Sequence, residues 1–456
     1  MESNRMTYPF GKRAVTGAAR IALVAALAAG LGACGMFKGD GPETTPTLGK
    51  REPILSRIEN TATVDPSLES VPVVLPAPTA NQSWAQAGGS ASKSYGHLAL
   101  SANPTRVWTR SIAGASQQRR LAATPVIGDG KLFVFDTDGK VWAFDAATGA
   151  PVWEKSLRVS GDGSSSVFGG GVSYENGRVY VTTGVGEVDA LDASDGSEIW
   201  KAQPSGPLRG APTLAFGNVF VMTQDNQIFA LDAETGEIEW NRAGSSGLSG
   251  VFGVAAPAAG AGTVIAGYSS GELIAYRYEN GTELWGDALS RTNISTSVGS
   301  LTDVDADPII DGGRVYALGQ GGRMAAYELL SGRRIWDLSL AGISTPAVAG
   351  DWIFVLTDDA RLLAIARATG KVRWISQLPR WKDEKDKKGE IFWSGPVLAG
   401  GKLYVASTRG ALVSVDAADG AQANVAELDD GVSLNPIAAN ETLYVLDNGG
   451  TISAFR

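Results

Sequence analysis

Cysteine and histidine are almost absent from this sequence. Each occurs once in 456 residues, as Cys34 and His97. A single thiol cannot form a disulfide within the chain, so the folded protein must be stabilised by its core alone. His97 has no cysteine partner and no metal-ligand spacing around it, so we expect a surface or capping residue. A nucleophile elbow, a Walker loop and a zinc motif are also missing, which disfavours the corresponding enzyme classes.

Long apolar runs are missing too. An uninterrupted run of apolar and small residues, Ile21–Gly30, has ten residues, whereas a helix needs about twenty to span a bilayer. Basic residues precede this run (Arg5, Lys12, Arg13 and Arg20), which is typical of an export signal. We therefore expect residues 1–33 to be a signal peptide and the rest of the chain to be soluble.

The expected signal ends in Leu31–Cys34, which resembles the bacterial lipobox. The resemblance implies cleavage before Cys34 and acylation of that residue, where two or three acyl chains give stable anchoring. Gly35 follows instead of aspartate, which in enterobacterial lipoproteins implies sorting to the outer membrane. The alternative is that Cys34 is an ordinary small buried residue.

Net positive charge is also lacking. The chain carries a formal net charge of -9, and removal of residues 1–33, with four basic groups and one acidic group, takes it to about -12. An acidic surface argues against nucleic acid and against an anionic bilayer surface as partners.

Residues 34–80 have the composition of a linker. They are rich in proline, threonine, glycine and serine, as in PETTPTLG and VPVVLPAPTA. A flexible coil of this length would span on the order of 40 Å. We therefore expect a flexible linker at 34–80 and a folded domain at 81–456.

The folded region consists of internal repeats. One unit starts at Thr124 and returns at Val172 and Ala211. It consists of a strand, a glycine-containing turn, two further strands and a last strand that ends in tryptophan. Later copies end at Trp285, Trp336, Trp374 and Asn424. Each copy predicts four short antiparallel strands, which is the size of a propeller blade.

The two ends of the chain complete the count. After the seventh copy only three strands remain before Arg456, and the missing tryptophan strand lies in Pro104–Ile112. We infer that both ends share one blade, which closes the ring and removes its exposed edges. The predicted fold is all-β: an eight-bladed β-propeller of four-stranded antiparallel blades, closed by a blade shared between N- and C-terminal segments.

The ending Asp-x-x-Thr-Gly-x-x-x-Trp, as in Asp145–Trp153, resembles the repeat of the pyrroloquinoline-quinone propellers. The resemblance covers roughly residues 81–456. In that family the tryptophans dock neighbouring blades, which implies a core role and not a ligand role for Trp108, Trp153, Trp200, Trp240, Trp285, Trp336 and Trp374.

Two classes share this repeat. The quinoprotein dehydrogenases hold their quinone with Ca²⁺ and use a catalytic aspartate and a disulfide between adjacent cysteines, a pair that this chain lacks. We therefore expect no catalysis, no cofactor and no metal. A quinone-dependent periplasmic dehydrogenase, or another periplasmic propeller binding module, is the alternative.

The second class is the BamB family of outer-membrane assembly lipoproteins, which is similar in signal, lipobox, linker, repeat number and length. The resemblance implies a non-catalytic scaffold of the β-barrel assembly (BAM) complex, anchored to the periplasmic face of the outer membrane. Its implied partners are the POTRA domains of BamA and the other BAM subunits, with unfolded outer-membrane proteins as further candidates.

Two segments suggest where the partner binds. Pro207–Thr213 resembles the family loop whose Leu-Arg pair contacts the POTRA domains, and Ser300–Asp305 resembles a nearby acidic loop of the same surface. The implied partner-binding residues are Leu208, Arg209, Asp303 and Asp305. Family members often have a leucine at the place of Gly206, so the apolar half is weaker here.

These residue types suit an interface. An exposed Leu208 would supply apolar burial, and Arg209 would supply a bidentate donor. Asp303 and Asp305 would orient this arginine or meet basic groups of the partner. The alternatives are that Leu208 and Arg209 pack between blades, and that the aspartates only cap a loop turn.

One insertion, residues 379–393, separates the sixth and seventh copies. It carries equal numbers of lysines and acidic residues around its middle. We expect a solvated loop tip, with Trp381 at its flank as a candidate second contact.

Overall fold

The protein is described by a computed structural model, which covers residues 62–117, 119–157, 169–245, 255–289 and 303–456. The expected signal peptide (1–33), the acylation site Cys34 and residues 35–61 of the expected linker lie outside the described residues. The described residues belong to one compact unit.

Eight four-stranded antiparallel sheets form the eight blades of a propeller, as the repeats predict. The first strands of successive blades adjoin each other around the centre of the ring. These innermost strands are β2 (Val126–Gly128), β6 (Gly170–Glu175), β10 (Thr213–Ala215), β14 (Ala258–Gly260), β18 (Ile309–Asp311), β22 (Ala347–Ala349), β28 (Trp393–Ala399) and β32 (Ile437–Ala439).

The remaining strands follow outward in chain order. The second strands are β3 (Lys131–Phe135), β7 (Arg178–Thr183), β11 (Asn218–Met222), β15 (Thr263–Gly267), β19 (Arg314–Gly319), β23 (Trp352–Leu356), β29 (Lys402–Ser407) and β33 (Thr442–Leu446). The third strands are β4 (Lys140–Asp145), β8 (Val188–Asp192), β12 (Gln227–Asp232), β16 (Glu272–Arg277), β20 (Arg323–Glu328), β24 (Arg361–Ala366), β30 (Ala411–Asp416) and β34 (Thr451–Phe455).

Seven of the eight outer strands carry the repeated tryptophan, and the outer strand of the seventh blade has Asn424 in its place. The outer strands are β5 (Pro151–Ser156), β9 (Glu198–Ala202), β13 (Ile238–Ala243), β17 (Glu283–Ala288), β21 (Arg334–Leu338), β25 (Val372–Gln377), β31 (Gln422–Glu427) and β1 (Arg106–Ser111). Strand β1 pairs antiparallel with β34, with Thr109 opposite Ser453. The eighth blade is therefore built from both ends of the chain, which confirms the predicted closure.

The hydrophobic core lies between the blades. Successive second and third strands bury alternate side chains against the neighbouring sheet, as where Tyr180 and Val188 of blade two pack with Leu214 and Val221 of blade three. Similar clusters follow between the other blades, and one joins blades seven, eight and one. Since each blade lies between two others, most of its second strand is buried on both faces and reads as a nearly continuous apolar run, as in β11 and β23.

The repeated tryptophans of seven blades each contact the next blade, as the resemblance to the pyrroloquinoline-quinone propellers implies. A side chain at Gly236 would place its Cβ 2.6 Å from the ring of Trp200, so this turn requires glycine. Six indole Nε1–H groups donate to a backbone carbonyl of the next blade: Trp153 to Ala193 (3.1 Å), Trp200 to Ala233 (3.0 Å), Trp240 to Tyr278 (2.7 Å), Trp285 to Leu329 (2.8 Å), Trp336 to Arg367 (3.0 Å) and Trp374 to Ala417 (3.1 Å).

The insertion between blades six and seven forms a small hairpin of β26 (Trp381–Asp383) and β27 (Lys388–Glu390). Residues 382–389 are exposed, in agreement with a solvated tip. Trp381 is half-buried, and the guanidinium of Arg380 lies over its ring at 5.2 Å.

Residues 62–80, which the sequence assigns to the flexible linker, pack against the propeller. They contain a short 3₁₀ helix, Pro66–Leu68. Val64 forms a parallel β-bridge with Val372 of β25. The Asp65 carboxylate forms an ion pair with Lys371, with 3.0 Å between Oδ2 and Nζ. The folded domain therefore begins before residue 81, because apolar residues such as Val73 and Leu75 pack against blades six and seven.

Residues 79–100, here called the strap, cross one end of the central channel. The strap bonds the inner strands of seven blades in turn, for instance between Trp84 and Ile127 in both directions (2.9 and 2.8 Å). His97 belongs to it and is buried, so of the two expectations for this residue the surface position is wrong and the capping role fits. Its Nε2 accepts from the Gly401 N–H at 2.8 Å, while its Nδ1 lies 2.8 Å from the Pro76 carbonyl. Within the part of the chain that the structure describes, no helix has the length and apolarity that crossing a membrane requires.

Candidate functional site

The two segments that the sequence singles out come together at the inner ends of the blades. Leu208 and Arg209 lie in the loop that leads into β10 of blade three. Asp303 and Asp305 lie in the segment that leads into β18 of blade five. Although 94 residues separate Arg209 from Asp303 in sequence, their side chains are in direct contact.

Leu208 is not exposed, so the expectation of an apolar contact on the surface is wrong. Its exposed fraction is 0%, and it packs in the cluster between blades two and three with Leu214 and Val221. The backbone explains this position, because Leu208 forms an antiparallel bridge with Thr223 that turns the side chain into the blade interface. The alternative of blade packing describes this residue.

Arg209 joins the two segments through its side chain. Its Nη2 donates to Oδ1 of Asp303 at 2.9 Å and lies 3.4 Å from Oδ1 of Asp305. The exposed fractions of the three side chains are 3%, 1% and 9%. The backbone of Arg209 is held as well, because its N–H donates to Met222 at 2.8 Å and its carbonyl accepts from Gly170 at 3.1 Å. Of the two roles expected for the aspartates, the structure places them in the first, orienting the arginine.

The charges of this cluster are not balanced. Two carboxylates share one guanidinium away from water, so one negative charge has no counterpart within the trio. Burial, followed by the nearby Asp303 carboxylate, raises the pKa of Asp305 to about 7.

Two further buried charged residues, Asp307 and Lys93, were not among the predicted site residues. Asp307 is two residues beyond Asp305, and burial raises its pKa while Lys93 of the strap opposes the shift. Lys93 is 1% exposed and donates from Nζ to Thr213 at 3.0 Å. The alternation Asp303, Asp305, Asp307 was the available signal, whereas Lys93 stands in a segment with no recognisable motif.

The surface around Leu208 and Arg209 is formed by their neighbours. Gln203 and Pro207 of the same loop are exposed, and so is Asp225, which follows β11. The Pro207 carbonyl accepts from the Gln224 N–H at 2.8 Å, which ties this loop to the next one. The buried trio can therefore fix the position of exposed loop residues without being accessible itself.

The described contacts within the trio are ion pairs between one guanidinium and two carboxylates. Among the described residues, no group of three or more histidine, cysteine, aspartate or glutamate side chains is arranged to hold a metal ion. The geometry suits the positioning of loops.

Known proteins resemble this chain over most of its length. The family model described as "Outer membrane protein assembly factor BamB" matches residues 94–164, 137–376 and 379–456. The protein of that name from Salmonella typhimurium is 31% identical over 356 residues, which is 77% of this chain and 88% of the relative.

Solved structures share the fold. BamB from Moraxella catarrhalis superposes with a TM-score of 0.63 at 20% identity and covers 77% of this chain and 99% of its own. A quinohemoprotein alcohol dehydrogenase from Comamonas testosteroni also reaches a TM-score of 0.63, at 16% identity, over 82% of this chain and 80% of its own. Identities this low show the propeller fold alone. The family match extends over nearly all of the propeller, and the chain belongs to the family of outer membrane protein assembly factor BamB.

Proposed function

We propose that this protein is a non-catalytic scaffold subunit of the outer-membrane β-barrel assembly complex and that it binds the periplasmic POTRA region of BamA. The observation that carries the proposal is the family match, which covers nearly the whole propeller. The function named by these relatives is the assembly of outer membrane proteins.

The partner surface is the face formed by the loops that lead into β10 and β18. Arg209 supports this assignment because it ties the two loops together across blade four through Asp303 and Asp305. Leu208 anchors the first loop in the blade interface. In this proposal the four residues position the exposed part of the loop, with Pro207 at its surface.

The test is co-purification of BamA with the acylated full chain from detergent-solubilised outer membrane. Pro207→Glu adds a charge to the exposed loop and leaves the buried trio intact. We expect wild-type protein to capture BamA and Pro207→Glu to capture much less, because a carboxylate would have to be desolvated in the interface.

Ile238→Glu is the matched control. Ile238 is exposed on the outer strand β13 of the same blade, so the same charge is added far from the inner loops. Ile238→Glu should capture BamA like the wild type. Equal capture by both variants would remove the proposed face while keeping the function, and failure of the wild type to capture BamA would remove the function.

The same proposal includes a lipid anchor at Cys34 and residence at the periplasmic face of the outer membrane. Family membership and the lipobox-like sequence before Cys34 support it. Metabolic labelling with an alkyne-tagged fatty acid should mark wild-type protein and not Cys34→Ser. Label that remains on Cys34→Ser would contradict the anchor.

A further inference from the structure

A cavity of about 250 Å³ lies in the centre of the ring, directly on the strap. Trp84 and Tyr95 of the strap contribute to its lining, and the walls come from the inner ends of seven blades. Drug-sized ligands occupy cavities of roughly 300–1,000 Å³. This cavity would suit a smaller molecule.

The strap gives the cavity an aromatic floor. The ring centroids of Trp84 and Tyr95 lie 4.8 Å apart and their planes are inclined by 48°. Both rings are held in place, because the Trp84 backbone pairs with Ile127 and the Tyr95 hydroxyl donates to the Pro396 carbonyl at 3.2 Å. Rigid aromatic faces attract cations through the ring quadrupole.

The polar part of the lining is acidic. Asp305 and Asp307 reach the cavity, together with neutral groups such as Ser344 and Asn435. Among the described residues that line the cavity, none is a lysine, an arginine or a histidine. An anion would therefore meet carboxylates without a basic side chain in the lining to offset them.

The buried charges beside the cavity sum to a negative value. When all five groups are ionised, Arg209 and Lys93 supply two cations, whereas Asp303, Asp305 and Asp307 supply three carboxylates. An additional cation in the cavity would balance this excess in surroundings where water is scarce. The aromatic floor and the size of the space favour an organic cation over a metal ion, which prefers a close shell of oxygen ligands.

We propose that the central cavity binds a small organic ammonium ion, whose charged group lies between the aromatic floor and the carboxylates of Asp305 and Asp307. This proposal does not depend on the proposed partner surface, although Asp305 belongs to both the cavity lining and the Arg209 cluster. The strap creates the site, because it supplies the rings and closes the channel below them.

The test is isothermal titration of the full chain in a non-ionic detergent with choline and with its uncharged carbon isostere, dimethylbutanol. The two probes have nearly the same shape and differ in charge. We expect choline to bind one site per chain and the isostere to bind about tenfold more weakly or not at all. Equal affinity for both probes, or binding of neither, would overturn the proposal. Calcium chloride that displaces choline at low concentration would overturn it in favour of a metal site.

Two variants locate the site. Asp305→Asn removes one carboxylate and should weaken choline by about tenfold without changing the isostere. Ser433 is an exposed residue of the lining, so Ser433→Trp should block the cavity in a folded protein and abolish binding. Unchanged choline affinity in folded Ser433→Trp would place the bound molecule elsewhere and contradict the proposal.

The pH dependence provides a further readout. Asp305 faces Asp303 and Arg209, with Asp358 farther away, and burial raises its pKa to about 7. The cation prefers the ionised carboxylate, so choline affinity should rise between pH 5.5 and pH 8. In Asp305→Asn this rise should be smaller, and an unchanged rise would exclude Asp305 from the site.

Discussion

Two arginines of this propeller each contact two aspartates, in opposite surroundings. Arg209 and its partners Asp303 and Asp305 have side chains that are at most 9% exposed, at the inner ends of blades three and five. Arg334 contacts Asp287 of blade four and Asp337 of its own strand, with 34% of its side chain exposed. The same residue types therefore meet both in the interior and at the rim.

The difference shows what an ion cluster can do in each place. At the rim, water screens the charges, so the cluster contributes little and tolerates loss of a partner. In the interior, a carboxylate that loses its guanidinium has no solvent to replace it. The inner cluster therefore fixes the loops of two blades, and we expect substitutions there to have much larger effects.

The largest effect is expected for Arg209→Met. Removal of one partner of a buried ion cluster costs about 3–5 kcal/mol, because the remaining charges stay uncompensated. The free energy of unfolding of the full chain, measured by urea denaturation with circular dichroism, should fall by this amount. A loss below about 1 kcal/mol would mean that Asp303 and Asp305 find other partners.

Leu208→Ala should have the next largest effect. Truncation of a buried leucine costs about 2–5 kcal/mol, depending on how far the site can collapse. Leu284→Ala is the matched control, because Leu284 is 40% exposed on β17. Equal loss of stability in the two variants would contradict the buried position of Leu208.

The pH dependence of the free energy of unfolding should distinguish the contribution of Asp305 from that of other acidic groups. Burial raises the folded-state pKa of Asp305 above its value in the unfolded chain, so its stabilising contribution is complete at low pH and is lost as the pH rises through about 7. Asp189, whose pKa burial raises to about 6, acts in the same direction. The measurement is stability between pH 5 and pH 7, because burial lowers the pKa of Lys93 to about 8 and this lysine titrates at higher pH.

In that window we expect wild-type stability to decline with increasing pH more steeply than the stability of Asp305→Asn. The asparagine cannot ionise, so its profile should keep only the slope from Asp189, Asp307 and other groups. Parallel profiles would show that Asp305 does not titrate in this range.

The smallest effect is expected for Arg334→Met. An exposed ion pair contributes about 0–1 kcal/mol and is weakened by salt. The loss of unfolding free energy should therefore stay below about 1 kcal/mol and shrink in high salt. A loss as large as that of Arg209→Met would mean that the rim and the interior do not differ as described.

The fold was predictable from the sequence because its units are local. In six of the seven copies, a turn such as Asp192–Gly196 is followed by a tryptophan at fixed distance, and this spacing encodes the contact between blades. The shared blade was predictable as well, since Trp108 and the last three strands each lacked a partner within their own part of the chain.

The burial of the candidate site was less predictable. Leu208 and Arg209 stand in a loop of small and polar residues, and the spacing does not show which way a loop side chain points. The structure turns both inward because Leu208 bridges to Thr223 and Arg209 finds two carboxylates in a distant segment. The strap was missed for a related reason: its proline- and serine-containing approach has a linker composition, and its contacts all lie far away in sequence.

The most direct test of the central claim is the affinity of a soluble BamA POTRA fragment from the same organism for wild-type protein, Pro207→Glu and Ile238→Glu, with folding checked by circular dichroism. The account predicts binding by the wild type and Ile238→Glu, and a loss of about tenfold or more for Pro207→Glu. Binding by all three with equal affinity would contradict the assigned face, and no binding by the folded wild-type protein would contradict the role as a BamA scaffold.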